Sequence, residues 1–372
     1  MDVNSLVGCV VEERYRVESA LGEGAMGAVY RARHVKVGRT VAIKVLHDHL
    51  VQADGMVERF EREAKIAARL KHPNLVAVID LGVTPDGKKC MVLEFAPGRC
   101  LAELVTRPTP RDHAIDMTRQ LLRGLDHAHG LGLVHRDLKP ENILVEQHAD
   151  GRVTPRIVDF GIAVLRDADE TTTEGRRLTT NGLVIGTPMY MAPEQARGEA
   201  IDHRADLFAL GVIVYELLAG KPPFEGSGLE IMMLNMMQDP PSIATRTGLG
   251  VDALLEAFAR KLMARERDGR FASAQAALHV LALIETDRDA AARALGVDPG
   301  IPQPIETRDA VTTRRHIVSL AMVPLAKGSD QQPQAPVREE QPPRRRRWGV
   351  IVGAAAIIGV ALAMVVLLSK LA

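Results

Sequence analysis

The chain has 372 residues, of which 46% are hydrophobic and 25% charged, and its 47 basic residues equal its 47 acidic residues in number. This length permits a large two-lobed domain with additional segments, and the zero net charge argues against nucleic acid as the main partner. The three cysteines lack the paired spacing used for zinc or redox chemistry, and the histidines lack a third ligand at a suitable spacing. We therefore expect a reducing compartment and no metal site built from cysteine or histidine.

The N-terminal extension, residues 1–14, reads MDVNSLVGCVVEER, and its second residue, Asp2, is acidic. Its apolar run is short and has no basic flank, which distinguishes it from a secretory signal. We expect the domain that follows to remain in the cytoplasm.

Strand-like alternation follows in three stretches, RYRVESAL, AVYRARHV and TVAIKVLH, and Gly38 and Arg39 turn the last pair. The sequence GEGAMG, residues 22–27, lies between the first two. Glycine clusters often form only a turn, and this spacing also opens dinucleotide-binding folds. A dinucleotide fingerprint leads into a helix, whereas a second strand follows here, and no Lys-Ser or Lys-Thr pair completes a Walker loop. The pattern predicts a hairpin whose bare backbone can approach phosphate oxygens.

The third stretch contains VAIK, in which Lys44 shares a strand face with Ala42 and Leu46 and points inward. A buried ammonium needs partners, although a strand lysine is more commonly an edge residue that reaches solvent. Residues 56–76 then predict an amphipathic helix that ends at His72 and Pro73. Glu63 borders its apolar stripe and is the candidate counter-ion for Lys44, with a surface glutamate as the alternative.

Several motifs now occur in a fixed order: the glycine hairpin, VAIK, the helix glutamate, HPN at 72–74, HRDLKPEN at 135–142, DFG at 159–161, GTPMYMAPE at 186–194 and DLFALG at 206–211. With this ordered set, residues 15–285 resemble the eukaryotic-type serine/threonine protein kinases, in the membrane-anchored form found in bacteria. The resemblance implies an α+β, bilobal protein kinase fold. A small β-rich N-lobe is expected at 15–95 and a larger helical C-lobe at 96–285.

Phosphoryl transfer requires an aligned hydroxyl and neutralised phosphate oxygens, with little covalent help from the protein. The resemblance implies that ATP is the donor, that Asp137 accepts or orients the proton of the hydroxyl, and that Lys139 reaches the transferring phosphate. It implies two magnesium ligands, Asn142 and Asp159, whose oxygens suit Mg²⁺. Lys44 and Glu63 complete the expected catalytic set.

The adenine base is expected against a hinge after Leu93, the gatekeeper position of the resembling family. Leu21, Val29 and Ala42 are expected as an apolar roof, and backbone groups from Glu94 to Ala96 as partners of the base. The full set of nucleotide-contacting positions implied by the resemblance is Leu21, Gly22, Glu23, Gly24, Ala25, Met26, Gly27, Ala28, Val29, Ala42, Lys44, Glu94 and Ala96.

In the resembling family, a lysine two residues after the catalytic aspartate goes with serine and threonine acceptors. Lys139 has that position, and Thr187 is the expected bridge between Asp137 and Lys139. Small-molecule kinases are not expected to have the peptide-docking segment GTPMYMAPE. Protein substrates are therefore expected.

Two contacts are also expected in the C-lobe. Glu194 should pair with an arginine, for which Arg270 is the candidate, and Asp206 should hold the backbone of the catalytic loop. Phe208 is a different aromatic residue from the commoner one of the family, and Ala209 replaces the commoner serine. These departures put the local packing in doubt.

Arg136 places a cation beside Asp137, and kinases that resemble this chain use it to bind a phosphothreonine that orders the activation segment. That segment, residues 159–194, contains TTTEGRRLTTNG. Thr179 and Thr180 are the expected autophosphorylation sites, with residues 171–173 as weaker candidates. Unmodified loop threonines are the alternative reading.

Beyond residue 285 the chain becomes polar and contains several prolines, which indicates a linker at 286–347 with one helical stretch near residues 288–295. The uncharged run 348–368 would extend about 30 Å as a helix and is predicted to span the membrane. Residues 344–347 are all arginine, which places the kinase domain on the cytoplasmic face of the inner membrane, and 369–372 form a short tail outside. A buried soluble helix is the alternative.

Small residues in the predicted span, Gly349 with Gly353 and Ala355 with Gly359 and Ala363, are compatible with a homodimer, although such residues are frequent in membrane helices. Four methionines between 232 and 237 have helical spacing and favour core or rim packing over a docking face.

Together these features predict an ATP- and Mg²⁺-dependent serine/threonine protein kinase tethered to the membrane. A pseudokinase scaffold and a membrane adaptor are the alternatives.

Overall fold

The computed structural model describes residues 5–24, 27–47, 56–160, 188–248 and 250–298. The N-lobe holds these elements: β1 Val10–Val11, β2 Tyr15–Gly24, β3 Gly27–His34, β4 Thr40–Leu46, α1 Met56–Ala67, β5 Val78–Val83 and β6 Lys89–Glu94. Its strands form an antiparallel six-stranded sheet in the order β1-β2-β3-β4-β6-β5. The three predicted strands and the hairpin between the first two are confirmed.

The two faces of β4 separate two apolar clusters, because side chains alternate along a strand. Val41, Ile43 and Val45 face a cluster that contains Tyr30 from β3. Ala42 and Leu46 face the larger cluster that continues into the C-lobe. Lys44 lies on this second face and is buried, as its position in the strand predicts.

Part of the N-terminal extension belongs to the N-lobe sheet. β1 pairs with β2, and Leu6 and Val11 are buried in the same cluster as Tyr15. Cys90 also lies in this cluster, and burial raises the pKa of its thiol to about 12, so the thiol stays protonated.

Helix α1 ends at Ala67, five residues before the predicted end at His72. The chain then turns: the N–H of Leu70 bonds to the carbonyl of Ala67, and Leu70 and Leu75 are buried in the main cluster. The turn therefore carries Leu70 into the main cluster after the helix has ended.

The C-lobe begins with a short strand and is mostly helical, as predicted. Its strands and longer helices are β7 Arg99–Cys100, α2 Leu101–Leu104, α3 Arg111–Gly130, β8 Ile143–Gln147, β9 Val153–Ile157, α4 Pro193–Arg197, α5 Arg204–Ala219, α6 Gly228–Met237, α7 Ile243–Thr247, α8 Ala253–Leu262, α9 Ala274–Thr286 and α10 Arg288–Leu295. Short 3₁₀ turns lie at Pro140–Asn142, Pro188–Tyr190 and Arg267–Gly269. The strands β7, β8 and β9 form a small second sheet.

Helix α5 is the centre of the C-lobe. Nearly all of its residues are buried, which matches a helix that is apolar on every face. Phe208 and Ala209 are among them, so the departures from the family pattern are accommodated in the core.

Helix α10 forms where the sequence predicts a helical stretch in the linker. Ala291 and Ala292 are buried, and Arg288 makes two hydrogen bonds, of 2.9 and 3.0 Å, to the carboxylate of Asp252 at the start of α8. The packed domain therefore extends ten residues past Glu285.

The methionines of α6 are not core residues. Met237 is 66% exposed and Met233 47% exposed, and among the apolar residues of this helix only Ile231 is fully buried. Met232 and Met236 are half-buried, so core packing is wrong for this helix and rim packing stays a prediction.

In the described part of the chain, no helix combines the length and apolar character needed to cross a membrane. The predicted span at 348–368, most of the linker and the short tail lie outside the described residues.

Candidate active site

The stretch HRDLKPEN forms a loop between α3 and β8 that turns sharply at Arg136, whose φ is +64°. The Nζ atom of Lys139 lies 2.9 Å from Oδ2 of Asp137. The side-chain amide of Asn142 donates to the backbone carbonyl of Asp137 at 2.8 Å. The loop therefore presents an ammonium, a carboxylate and an amide oxygen together.

Asp206, the first acidic residue of α5, binds the backbone of this loop. Its carboxylate accepts the backbone N–H groups of His135 and Arg136 at 2.8 Å each, as predicted, and also contacts Nε2 of His129 at 2.8 Å. From another side, Gln195 donates to the carbonyl of Arg136 at 2.7 Å. These bonds stabilise the left-handed backbone of Arg136, which L-residues seldom adopt without support.

Burial alone would raise the pKa of Asp206, but the hydrogen bond from His129, the charges of His129 and His135 and the backbone N–H of His135 outweigh it and lower that pKa. The folded state therefore favours ionised Asp206, and this stability is present above the unfolded pKa, which is about 3.9. As the pH falls below that value, the unfolded chain takes up the proton first and the stability is lost.

We predict that Asp206→Asn lowers the free energy of unfolding at pH 7, and that the difference from the wild type shrinks between about pH 5 and pH 3. Urea titrations at several pH values measure this. Asp112, whose side chain is 91% exposed, provides the control Asp112→Asn. A difference between Asp206→Asn and wild type that stays constant over this pH range would contradict the assignment.

The second loop of the site carries Asp159, whose φ is +63°. Its carboxylate lies 2.9 Å from Nζ of Lys44, so the strand lysine of the N-lobe reaches this loop. The neighbouring Val158 joins it to the catalytic loop: its N–H donates to the carbonyl of Asn142 and its carbonyl accepts from His135, both at 2.9 Å. The two loops are therefore one unit.

The donor set fits a magnesium ion. Because the amide nitrogen of Asn142 is bonded to the carbonyl of Asp137, its amide oxygen remains for a metal. The Asp159 carboxylate is the second hard oxygen ligand. Within the described ranges no group of three or more histidine, cysteine or acidic side chains is arranged to hold a metal. A site with two protein ligands suits Mg²⁺, which takes its remaining ligands from phosphates and water.

The glycine hairpin closes tightly over the end of β4. A Cβ atom at Gly27 would lie 1.9 Å from the carbonyl oxygen of Val45, whereas one at Gly22 would meet no atom within 4 Å. Leu21 is about half exposed, and the side chain of Ala28 packs into the cluster with Tyr30, so Ala28 can contact a nucleotide only through its backbone. Ala25 and Met26 lie outside the described residues.

We predict that Gly27→Ala pushes β3 away from β4, destabilises the protein by about 1–3 kcal/mol and raises the KM for ATP. Gly22→Ala is the matched control for stability, and its free energy of unfolding should stay close to that of the wild type. Urea unfolding and initial rates at varied ATP concentration measure both effects. Identical behaviour of the two variants would show that the close approach at Gly27 has no consequence.

The expected roof and hinge residues lie on one face of the sheet. Val29 is opposite Lys44, and Ala42 is opposite Leu93, so all four side chains point to the face that continues into the C-lobe. Glu94 ends β6, and its N–H donates to the carbonyl of Ala77. Leu93 and the hinge residue Ala96 are buried.

The predicted pair of Glu194 and Arg270 forms. Both side chains are buried, and two parallel hydrogen bonds of 2.7 Å connect them. Thr179, Thr180 and Thr187 lie outside the described residues. Glu63 lies on α1, but its side chain is also outside the described set, so its pairing with Lys44 stays a prediction.

Sequence reasoning missed three contacting residues of the site: His129, Gln195 and Arg156. His129 and Gln195 support the catalytic loop from α3 and α4, as described above. Arg156 lies 2.8 Å from Glu94 at the hinge. Nothing local signals these roles, because each partner is distant in the sequence.

Comparison with known proteins agrees with this geometry. The sequence model of the protein kinase domain matches residues 15–281. The serine/threonine-protein kinase pkn3 of Myxococcus xanthus is 37% identical over 352 residues, which cover 94% of this chain and 60% of that protein. The serine/threonine-protein kinase PknB of Mycobacterium tuberculosis is 37% identical over 272 residues, covering 71% of this chain and 42% of that protein. The chain thus spans less than two thirds of the length of these relatives.

Among solved structures, the PknI kinase domain of Mycobacterium tuberculosis is similar, with a TM-score of 0.57 and 27% sequence identity. The match covers 74% of this chain and 97% of that domain. The fold, the joined catalytic loops and the matched range of residues agree, and the chain belongs to the protein kinase family, with bacterial serine/threonine-protein kinases as its relatives.

Proposed function

We propose that this chain is a serine/threonine protein kinase that uses ATP and Mg²⁺. The observation that carries the proposal is that two loops are joined through Val158. Asp137, Lys139 and Asn142 lie on the first loop, and Asp159 lies on the second, where it contacts Lys44 of β4. Bound Mg²⁺–ATP supplies the phosphoryl group and neutralises its charge. The protein then has to position the nucleotide and the acceptor hydroxyl, and to accept the proton of that hydroxyl.

Each residue has a separate task in this proposal. Asp137, with its side chain 42% exposed, is accessible to an acceptor hydroxyl and accepts or orients its proton. Lys139 and Lys44 provide positive charge toward the phosphates. Asn142 and Asp159 hold the metal ion.

The experiment that tests the activity is transfer of labelled phosphate from ATP to peptides that differ only in a serine, threonine or tyrosine acceptor. The full chain should label the serine and threonine peptides and leave the tyrosine peptide unlabelled, and chelation of Mg²⁺ should stop the reaction. Lack of transfer by the wild type, or equal transfer to tyrosine, would overturn the proposal.

Regulation by autophosphorylation of Thr179 or Thr180 is part of the proposal. Its support is the position of Arg136, next to the catalytic aspartate and held by Asp206 and Gln195. Mass spectrometry of the active protein should find phosphate on one of these threonines, and the double alanine variant should have lower activity. Full activity of that variant would rule out regulation by phosphorylation of these two threonines.

We further propose that residues 348–368 anchor the chain in the inner membrane and permit a homodimer. The support is the uncharged run, the arginines at 344–347 and the small residues within the run. Deletion of 344–372 should release the kinase from the membrane fraction with its activity intact. Gly353→Ile should lower the crosslinking yield in membranes, and an unchanged yield would argue against a dimer through this segment.

A further inference from the structure

Strand β9 in the C-lobe is fastened directly to the segment that precedes β5 in the N-lobe. The side-chain amide of Asn74 donates to the carbonyl of Pro155 at 2.8 Å. The N–H of Ile157 donates to the carbonyl of Asn74 at 2.8 Å, and the N–H of Val76 donates to the carbonyl of Ile157 at 2.9 Å. The residues on both sides of Arg156 are therefore fixed.

From this fixed backbone, the side chain of Arg156 reaches across the lobes. Its Nη2 atom lies 2.8 Å from Oε2 of Glu94, and the two side chains are only 12% and 29% exposed. Glu94 is the last residue of β6 and the first of the hinge, and its own N–H is bonded to Ala77. Because both ends are anchored by backbone hydrogen bonds, the ion pair has little freedom to relax.

Shielding from water strengthens the ion pair of Arg156 and Glu94. An exposed ion pair contributes little, because water screens it and its side chains lose freedom. The Arg156–Glu94 pair is largely shielded from water, and its arginine is held on a strand, so the attraction is larger and the cost of ordering is smaller. Of the described ion pairs, this one and Lys44–Asp159 connect the N-lobe strands to the β8–β9 region.

We infer that the Arg156–Glu94 ion pair is a positioning device for the nucleotide base. It fixes the lobe-to-lobe distance at the hinge, and with it the backbone groups from Glu94 to Ala96 that are expected to contact the base. This inference rests on the proposed binding of ATP at the hinge. Arg156 and Glu94 side chains act here as positioning residues, since neither is proposed to touch the reacting atoms.

A device of this kind has a kinetic signature. The hinge holds the base equally in the ground state and in the transition state, so loosening it raises KM for ATP and leaves kcat unchanged. Arg156 also lies three residues before Asp159. If the pair instead served to hold Asp159, its removal would lower kcat, because Asp159 acts on the transferring phosphate.

The experiment uses the full chain with Arg156→Met, Glu94→Gln, the conservative Arg156→Lys, and the exchanged pair Arg156→Glu with Glu94→Arg. We expect the first two to raise the KM for ATP and the Kd of ADP roughly 3- to 30-fold, which lies within the range of measured coupling between contacting residues. Arg156→Lys should recover part of the loss, and the exchanged pair should bind ADP more tightly than Arg156→Glu alone. The KM for the peptide acceptor should not change.

Arg111→Met is the matched control. Arg111 forms an ion pair of similar length, 2.9 Å, with Asp252 entirely within the C-lobe, and Arg288 continues to pair with Asp252 when Arg111 is removed. This variant should leave the KM for ATP at the wild-type value, even where its melting temperature falls.

Three results would overturn the inference: an unchanged Kd for ADP in Arg156→Met, a fall in kcat at constant KM, or an exchanged pair no better than the single charge reversal. Failure of the proposed function looks different, because the wild type itself would then transfer no phosphate from ATP, whatever its Kd for ADP. A wild type that binds no ADP would overturn the inference as well, because the hinge would then hold no base.

Discussion

Replacing Asp137 with asparagine is expected to lower kcat for peptide phosphorylation by about 10²–10⁴-fold, the usual contribution of a positioned acid or base. Asparagine keeps the size of the side chain but cannot accept the proton. It also loses the charge that holds Lys139 at 2.9 Å. Because Asp137 is not proposed to bind the nucleotide, the Kd for ADP should remain close to that of the wild type.

Initial-rate kinetics and ADP titration on the same preparation measure the two quantities. Asp150 lies in the turn between β8 and β9, where it pairs with Arg152, and Asp150→Asn is the control for removal of a carboxylate in this lobe. A kcat for Asp137→Asn equal to that of Asp150→Asn would show that another group accepts the proton. A pseudokinase would show no transfer with any variant.

Replacing Glu194 with glutamine is expected to destabilise the protein by about 3–5 kcal/mol, because it leaves a buried guanidinium without its counter-ion. All five N–H donors of Arg270 are engaged: two bind Glu194, and three bind the carbonyls of Ala264, Arg204 and Arg265. The guanidinium also lies over the ring of Phe208 at 5.0 Å. Arg270 therefore has no route to water when its partner is removed.

Thermal and urea unfolding measure this effect. Removing both charges, as in Glu194→Leu with Arg270→Met, should cost less than Glu194→Gln alone, since no unpaired charge then remains buried. Arg99→Met is the control for an exposed pair, because Arg99 and Glu103 are both more than half exposed, and its expected cost is about 0.3–0.5 kcal/mol. Equal costs for the buried and exposed pairs would contradict the argument.

Much of the site is readable from the sequence because its chemistry depends on short local motifs. Asp137, Lys139 and Asn142 are within six positions, so one short motif contains all three, although Asp206 and Gln195 hold their loop in place. The inward position of Lys44 follows from strand alternation alone. The pair of Glu194 and Arg270 was predictable only through the resemblance, since 76 positions separate the two residues.

Contacts between residues that are far apart in the chain, and that no motif encodes, could not be predicted from the sequence. His129 bonds to Asp206 across 77 positions, and Gln195 bonds to Arg136 across 59. The early end of α1 at Ala67 was missed as well, because the turn that buries Leu70 does not show in the local helical pattern.

By itself, the sequence determined the family, the order of the elements and the residue types that phosphoryl transfer requires, because periodicity and short-range spacing are properties of the chain. The tertiary structure alone decided how those residues are held: the left-handed backbone at Arg136 and Asp159, and the hinge contact of Arg156 with Glu94. The physical reason is that support of this kind comes from packing between segments that are far apart along the chain, and packing is settled only when the whole domain folds.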